Sequence, residues 1–157
     1  RLDRETSGVL IFAKTLVLRE KFASQWKTVE KKYLALVYGC LKKKADIIES
    51  YLLEDLDYTV RSVKNPANGQ FARTRYKVMK ETSNFSLLEI DLLTGKKNQI
   101  RVHLSELGFP VVGDTKYGNA NKKKGRLALH AWSIKFKHPR SNEEMFFKTE
   151  IPSRLQI

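Results

Sequence analysis

The chain has 157 residues, which suits one domain and leaves little room for two. Lys and Arg number 30 against 17 Asp and Glu, a formal net charge of +13, and a hydrophobic fraction of 41% argues against disorder. No run approaches the ~18 apolar residues of a membrane-spanning helix, and the single Cys40 excludes an internal disulfide framework or a multi-cysteine metal site. These limits point to a soluble, intracellular, basic domain whose expected partner is a polyanion.

In chain order, Val9–Ala13 is a short apolar run after Gly8 and predicts a strand buried on both faces. Thr15 is placed to cap a helix whose inner stripe is Leu18, Phe22 and Trp26. Tyr33–Tyr38 predicts a strand ending at Gly39, and Asn65–Gly69 has loop chemistry. Strands are expected at Ala72–Met79 and Phe85–Leu93, with Leu88, Ile90 and Leu92 on one face and Glu89 and Asp91 on the other. Asn98–Leu107 predicts a helix with Ile100, Leu104 and Leu107 inward, closed by Gly108 and Pro110. Leu127–Phe136 and Met145–Ile151 complete the expected strands. The expectation is one α+β domain, rich in strands, with two short helices.

The positive charge is patchy. Residues 19–44 hold eight Lys or Arg, a second cluster runs from Lys116 through Lys122–Lys124 to Arg126, and a third comprises Lys135, Lys137 and Arg140. Acid gathers around Asp46, Glu49, Glu54, Asp55 and Asp57. Such sorting suits a face that follows phosphates, although lysines solvated on loops would look the same.

Two segments could hold chemistry. Arg1–Gly8 carries four charged residues and two hydroxyls directly before the apolar run, with Asp3 near the mouth of the sheet. The alternative is a turn in which Asp3 caps a backbone N–H and Arg1, Arg4 and Glu5 form surface ion pairs. Asn98–His103 brings Gln99 and Arg101 to the start of a helix, where an anion could be held; a surface ion pair plus an Asn98 cap is equally compatible. His103, between Val102 and Leu104, reads as a core or boundary histidine, and Tyr33 either as a half-buried strand aromatic or as a base-stacking ring.

In order, Arg1–Gly8, Lys31–Gly39, Leu93–Leu104, Leu107–Asp114, Tyr117–Gly118, Arg126–Ala131, Phe136–Pro139 and Ile151–Ser153 resemble the successive motifs of the RluA family of RNA pseudouridine synthases. The resemblance spans nearly the whole chain. It implies the family's catalytic fold over residues 1–157, a mixed and largely antiparallel sheet with flanking helices. It also implies isomerisation of specific uridines in structured RNA, ribosomal or transfer RNA, with no cofactor and no metal. By the same resemblance Asp3 would be the catalytic carboxylate and Arg101 would pair with it, holding it ionised. Tyr33 would pack on the target base and serve in proton transfer. Arg1 would enter the RNA stack as the uridine leaves, Ile100 would wall the uracil pocket, and Arg4 and Lys31 join them as substrate-binding residues. A monomer without a membrane partner is expected, in the bacterial cytoplasm, or in the cytosol or an organelle of a eukaryote. A non-catalytic RNA-binding or ribosome-assembly module on the same fold is the alternative.

The chain departs from the family pattern at Asn98, where His is usual, and at Lys96-Lys97, where Arg-Thr is common. The family also carries strands before the position of Arg1, including a preceding His, so a catalytic domain lacking its opening segment, and a less stable or less active piece, is expected.

Overall fold

A computed structural model describes residues 1–118 and 125–157. The described strands are β1 (Ser7–Gly8), β2 (Glu30–Tyr38), β3 (Ala45–Glu54), β4 (Val60–Val63), β5 (Gln70–Glu81), β6 (Phe85–Leu92), β7 (Leu129–Lys137) and β8 (Glu144–Lys148), with helices α1 (Leu16–Ser24) and α2 (Gln99–Glu106). They form one sheet in the order β1-β7-β2-β6-β5-β3-β4, with β8 also on β7. The β1–β7 pair is parallel and the other pairs are antiparallel. This is the expected mixed, largely antiparallel α+β sheet with two helices.

Residue alternation sorts the sheet into two faces. Tyr33, Ile90 and Tyr76 lie abreast on β2, β6 and β5, as do Ala35, Leu88 and Val78. On this face Ile100 and Leu104 of α2 join a core with Leu88 and Ile90, all four 5% exposed or less. The same alternation turns Lys32, Glu89, Asp91 and Arg75 to the other face, where Lys32 pairs with Glu89 and Asp91, and Arg75 with Asp91 at 2.8 Å. Leu155, fully buried in the C-terminal turn Ser153–Leu155, joins the same core as Leu34.

Three expectations need correction. Val9–Ala13 is not a buried strand: the ladder stops at Gly8, and Leu10 and Phe12 are 47% and 82% exposed. Gly8 has φ +116, and a Cβ there would stand 2.1 Å from the Ala131 carbonyl oxygen. Beyond Val9, whose N–H donates to that oxygen at 2.9 Å, the β7 edge from Ser133 onward is occupied by β8. Leu107 is half exposed at the end of α2, and helix α1 ends at Ser24, so Trp26 falls in the following 3₁₀ turn. Thr15 does cap α1, accepting from the Leu18 N–H at 3.2 Å, and Phe22 ties the helix to β7 through Phe136, ring centroids 4.9 Å apart.

Strands β3 and β4 are not expected from the sequence pattern. The acid cluster lies largely along β3 and its flanks and is neutralised locally: Asp46 by Lys43, Glu49 by Arg73, Glu54 by Lys97 and Asp55 by Arg61. The Lys122–Lys124 cluster lies outside the described residues.

Candidate active site

The N-terminal segment reaches the sheet by a turn. The Thr6 N–H donates to the Asp3 carbonyl at 3.0 Å, and β1 then pairs with β7 through Ser7 opposite His130. His130 fastens this junction: Nδ1 lies 2.7 Å from Ser7 Oγ, and Nε2 2.7 Å from Thr149 Oγ1. Burial lowers the His130 pKa, which favours a neutral ring between the two hydroxyls. Asp3 is thereby held beside the start of α2.

Helix α2 begins at Asn98, whose backbone is left-handed at φ 53, a conformation asparagine tolerates better than most residues. Gln99 is buried and closes the preceding loop. Its Nε2 donates to Thr74 Oγ1 at 2.8 Å and to the Arg73 carbonyl at 3.0 Å, while its Oε1 accepts from Thr94 Oγ1 and Lys96 N–H. With that loop fixed, Asn98 and Arg101 both reach Asp3. Asn98 Nδ2 donates to Asp3 Oδ2 at 2.8 Å, and Arg101 Nη1 lies 3.3 Å from the same oxygen.

The closer partner of Arg101 is Asp114. Nε and Nη2 make a two-pronged pair with its carboxylate at 2.7 and 2.8 Å, and the Asp114 side chain is inaccessible to solvent. Burial opposes ionisation of Asp114, but hydrogen bonds from Arg101 and from the Tyr117 and Lys116 N–H groups outweigh it and lower its pKa. Arg101 stays charged for the complementary reason: burial opposes its charge and Asp114 and Asp3 restore it. The guanidinium also lies over the Tyr117 ring, 5.1 Å from its centroid.

Around Asp3 opens a cleft of about 820 Å³. Its lining includes Asp3, Tyr33, Arg101, Arg1, Arg4, Lys31 and Ile100, so all seven residues singled out from the sequence share one cavity. Tyr33 enters it at a β-bulge, where the β2–β7 register slips between Lys32 and Tyr33. Burial first, then the negative charge of Asp3, pushes the Tyr33 phenol up to about 12, so it keeps its proton at neutral pH. Ile100, Leu92 and Leu129 give apolar wall, while Arg1 and Arg4 stand exposed at the opening. Lys31 Nζ sits 5.0 Å from the Trp26 ring centroid, and burial lowers its pKa. An adjoining, more apolar cavity of about 350 Å³ shares Arg1, Leu2, Trp26, Lys31 and Tyr33.

The roles of Asp114 and Tyr117 are not legible in the sequence, although both stand in segments that resemble the family's motifs. Their part depends on a loop returning to α2 across 13 to 19 residues, which no local period reveals.

A family model described as RNA pseudouridylate synthase matches residues 1–106. The uncharacterized RNA pseudouridine synthase YhcT of Bacillus subtilis is 36% identical over 160 residues, covering 99% of this chain and 53% of that protein. Ribosomal large subunit pseudouridine synthase C of Haemophilus influenzae is 35% identical, covering 99% and 52%. This chain thus spans about half the length of the curated relatives it matches. Among solved structures, human RNA pseudouridylate synthase domain containing 1 superposes with a TM-score of 0.84 at 27% identity, covering 96% of this chain and 66% of that one. The family match, the relatives and the shared fold lead to one conclusion: the chain belongs to the RNA pseudouridylate synthase family, in its RluA branch.

Proposed function

We propose that this protein isomerises specific uridines in structured RNA to pseudouridine, with Asp3 as the catalytic carboxylate. The observation that carries the reading is the convergence of Asp3, Arg101 and Tyr33 in one cleft with an apolar wall of Ile100, Leu92 and Leu129. Isomerisation breaks the bond between the sugar anomeric carbon and N1, turns the base, and joins the same carbon to C5. The C5 proton leaves and N1 is protonated, so no oxidant, reductant or group donor is consumed. A carboxylate in a cleft with apolar walls can act on the sugar or the base while those walls keep the detached uracil in place.

The residues divide the work. Arg101, braced by Asp114, orients Asp3 and supplies fixed positive charge beside it. Tyr33, a neutral phenol, packs on the base and can pass a proton only together with a second group that accepts it. Ile100 faces the uracil, and Arg1 fills the gap in the RNA stack, where extrusion costs a few kcal/mol. Arg4 and Lys31 meet phosphates at the mouth. Residues 107–157, beyond the family match, contribute Asp114, Tyr117 and Leu129, which supports one catalytic unit over 1–157. The substrate class is ribosomal or transfer RNA, and the enzyme acts as a monomer in the cytoplasm or in the corresponding eukaryotic compartment.

Tritium release from RNA labelled at uridine C5 tests the reading. The wild type should release label, and Asp3→Asn should lower the rate by at least about a thousand-fold. RNA binding without release by the wild type would instead favour a non-catalytic RNA-binding module.

A further inference from the structure

Hydrogen-bond direction can be traced through the site from a group that has no choice. The Val60 backbone N–H can only donate, and it donates to Tyr117 Oη at 3.0 Å. Burial raises the Tyr117 pKa, so the phenol retains its own proton. Asn98 Oδ1, 3.2 Å away, is placed to accept that proton. The amide is then oriented: its oxygen faces Tyr117 and its NH₂ faces Asp3 Oδ2 at 2.8 Å. Turned the other way, the amide would set its oxygen against Asp3 Oδ2, one acceptor facing another, on the oxygen that Arg101 Nη1 already approaches. Among the described residues both donors fall on Oδ2, and none donates to Oδ1.

We propose that Asn98 and Tyr117 are positioning residues, forming a one-way relay that fixes the Asp3 carboxylate by its Oδ2 and leaves Oδ1 as the reacting oxygen. The inference rests on the pseudouridine synthase reading of the site and adds to it the working oxygen and the groups that select it. Asn98 suits the task twice over. Its left-handed backbone at φ 53 is available to few other residues, and its amide offers a donor and an acceptor on opposite sides. Tyr117 is held in turn by the loop that carries Asp114, since its own N–H donates to Asp114 Oδ1 at 2.9 Å. The carboxylate and its guanidinium partner are therefore aligned through one loop.

The decisive variant is Asn98→Asp, which keeps the size and the left-handed tolerance but lacks the N–H donor and adds a like charge. In single-turnover reactions of the full protein on target RNA, the chemical rate should fall about a hundred-fold or more while KM for RNA stays within about three-fold. Tyr117→Phe should lower the same rate about ten-fold. A second readout needs no activity: the Asn98 side-chain amide resonance should move on Tyr117→Phe and on Asp3→Asn, with melting temperatures monitored to confirm folding. An unchanged chemical rate in Asn98→Asp, a loss confined to KM, or an amide resonance indifferent to both changes overturns the relay. If the wild type forms no pseudouridine, the functional reading fails, and the amide resonance alone decides whether the relay exists.

Discussion

Asp114 carries its charge where no solvent reaches, and Arg101 is only 11% exposed beside it. Neither could be buried alone at tolerable cost, so each is stable because the other is present. Removing one partner is then worse than removing both. Asp114→Asn keeps the shape but leaves the guanidinium facing a neutral amide. It should destabilise the fold by about 3 kcal/mol, at the low end for a broken buried pair because Arg101 retains Asp3 at 3.3 Å. Urea denaturation would measure the loss. Catalysis should fall further than stability explains, because Arg101 is then free to turn wholly onto Asp3 and to displace the Asn98 amide from Oδ2. Rates compared at a temperature where both proteins remain folded would separate the two effects.

Helix α2 is joined to the sheet by buried polar groups as well as by Ile100 and Leu104. His103, 1% exposed, sits between Thr74 Oγ1 of β5 at 2.9 Å and Ser50 Oγ of β3 at 3.0 Å, and Ser50 accepts in turn from Ser62 of β4. Burial lowers the His103 pKa from 6.5 to about 4. Between those values the unfolded chain binds more protons than the folded one, so stability is full above about pH 6.5 and falls as pH drops toward 4. The loss from this residue should be about 2 kcal/mol between pH 7 and 5, and His130 adds in the same direction. Thermal melts across that range should slope accordingly, and His103→Gln should flatten part of the slope while starting from a lower melting temperature. A wild-type melting temperature that is flat from pH 7 to 5 would refute this account. The element boundaries also show what sequence reveals. Strands β2, β5 and β6 and helix α2 were legible because alternation and helical periodicity are local properties. Strand β3 lacks that local signal, because its aliphatic residues come in adjacent pairs, Ile47-Ile48 and Leu52-Leu53, and do not alternate with polar ones. The failure at Val9–Ala13 has another cause: apolar character marks a segment that can pair, but the partner edge was already taken by β8. At the site, the motif resemblance singled out Asp3, Tyr33 and Arg101. The bracing by Asp114 and the amide direction at Asn98 needed three dimensions.

Across the whole molecule, the charge of +13 is sorted rather than spread. Much of the acid is spent in local pairs on the strands: Glu89 and Asp91 with Lys32, Asp46 with Lys43, Glu81 with Lys44, Glu144 with Lys135. Among the described residues, the side chains of Arg1, Arg4, Arg19, Lys31 and Lys96 have no carboxylate partner, and each lines at least one of the two adjoining cavities; with Arg1 in the RNA stack, four remain for phosphates. Positive potential is therefore uncompensated where RNA would enter, while these carboxylates on and beside the strands are each matched by a nearby cation. A phosphate neutralised at the mouth releases counterions, so affinity should fall linearly with the logarithm of salt concentration. Four such contacts predict a slope of about −3 to −4. Arg4→Gln and Lys96→Gln should each reduce the slope by about 1. Lys43→Gln should leave it unchanged, because Lys43 precedes β3 at the end opposite the cleft residue Glu54 and already holds Asp46 at 2.7 Å. Titrations of a target RNA between 50 and 200 mM salt, on the order of the range over which such slopes are read, decide the matter. Equal loss of slope in all three variants would mean that RNA follows the overall charge instead of the four cations around the cleft.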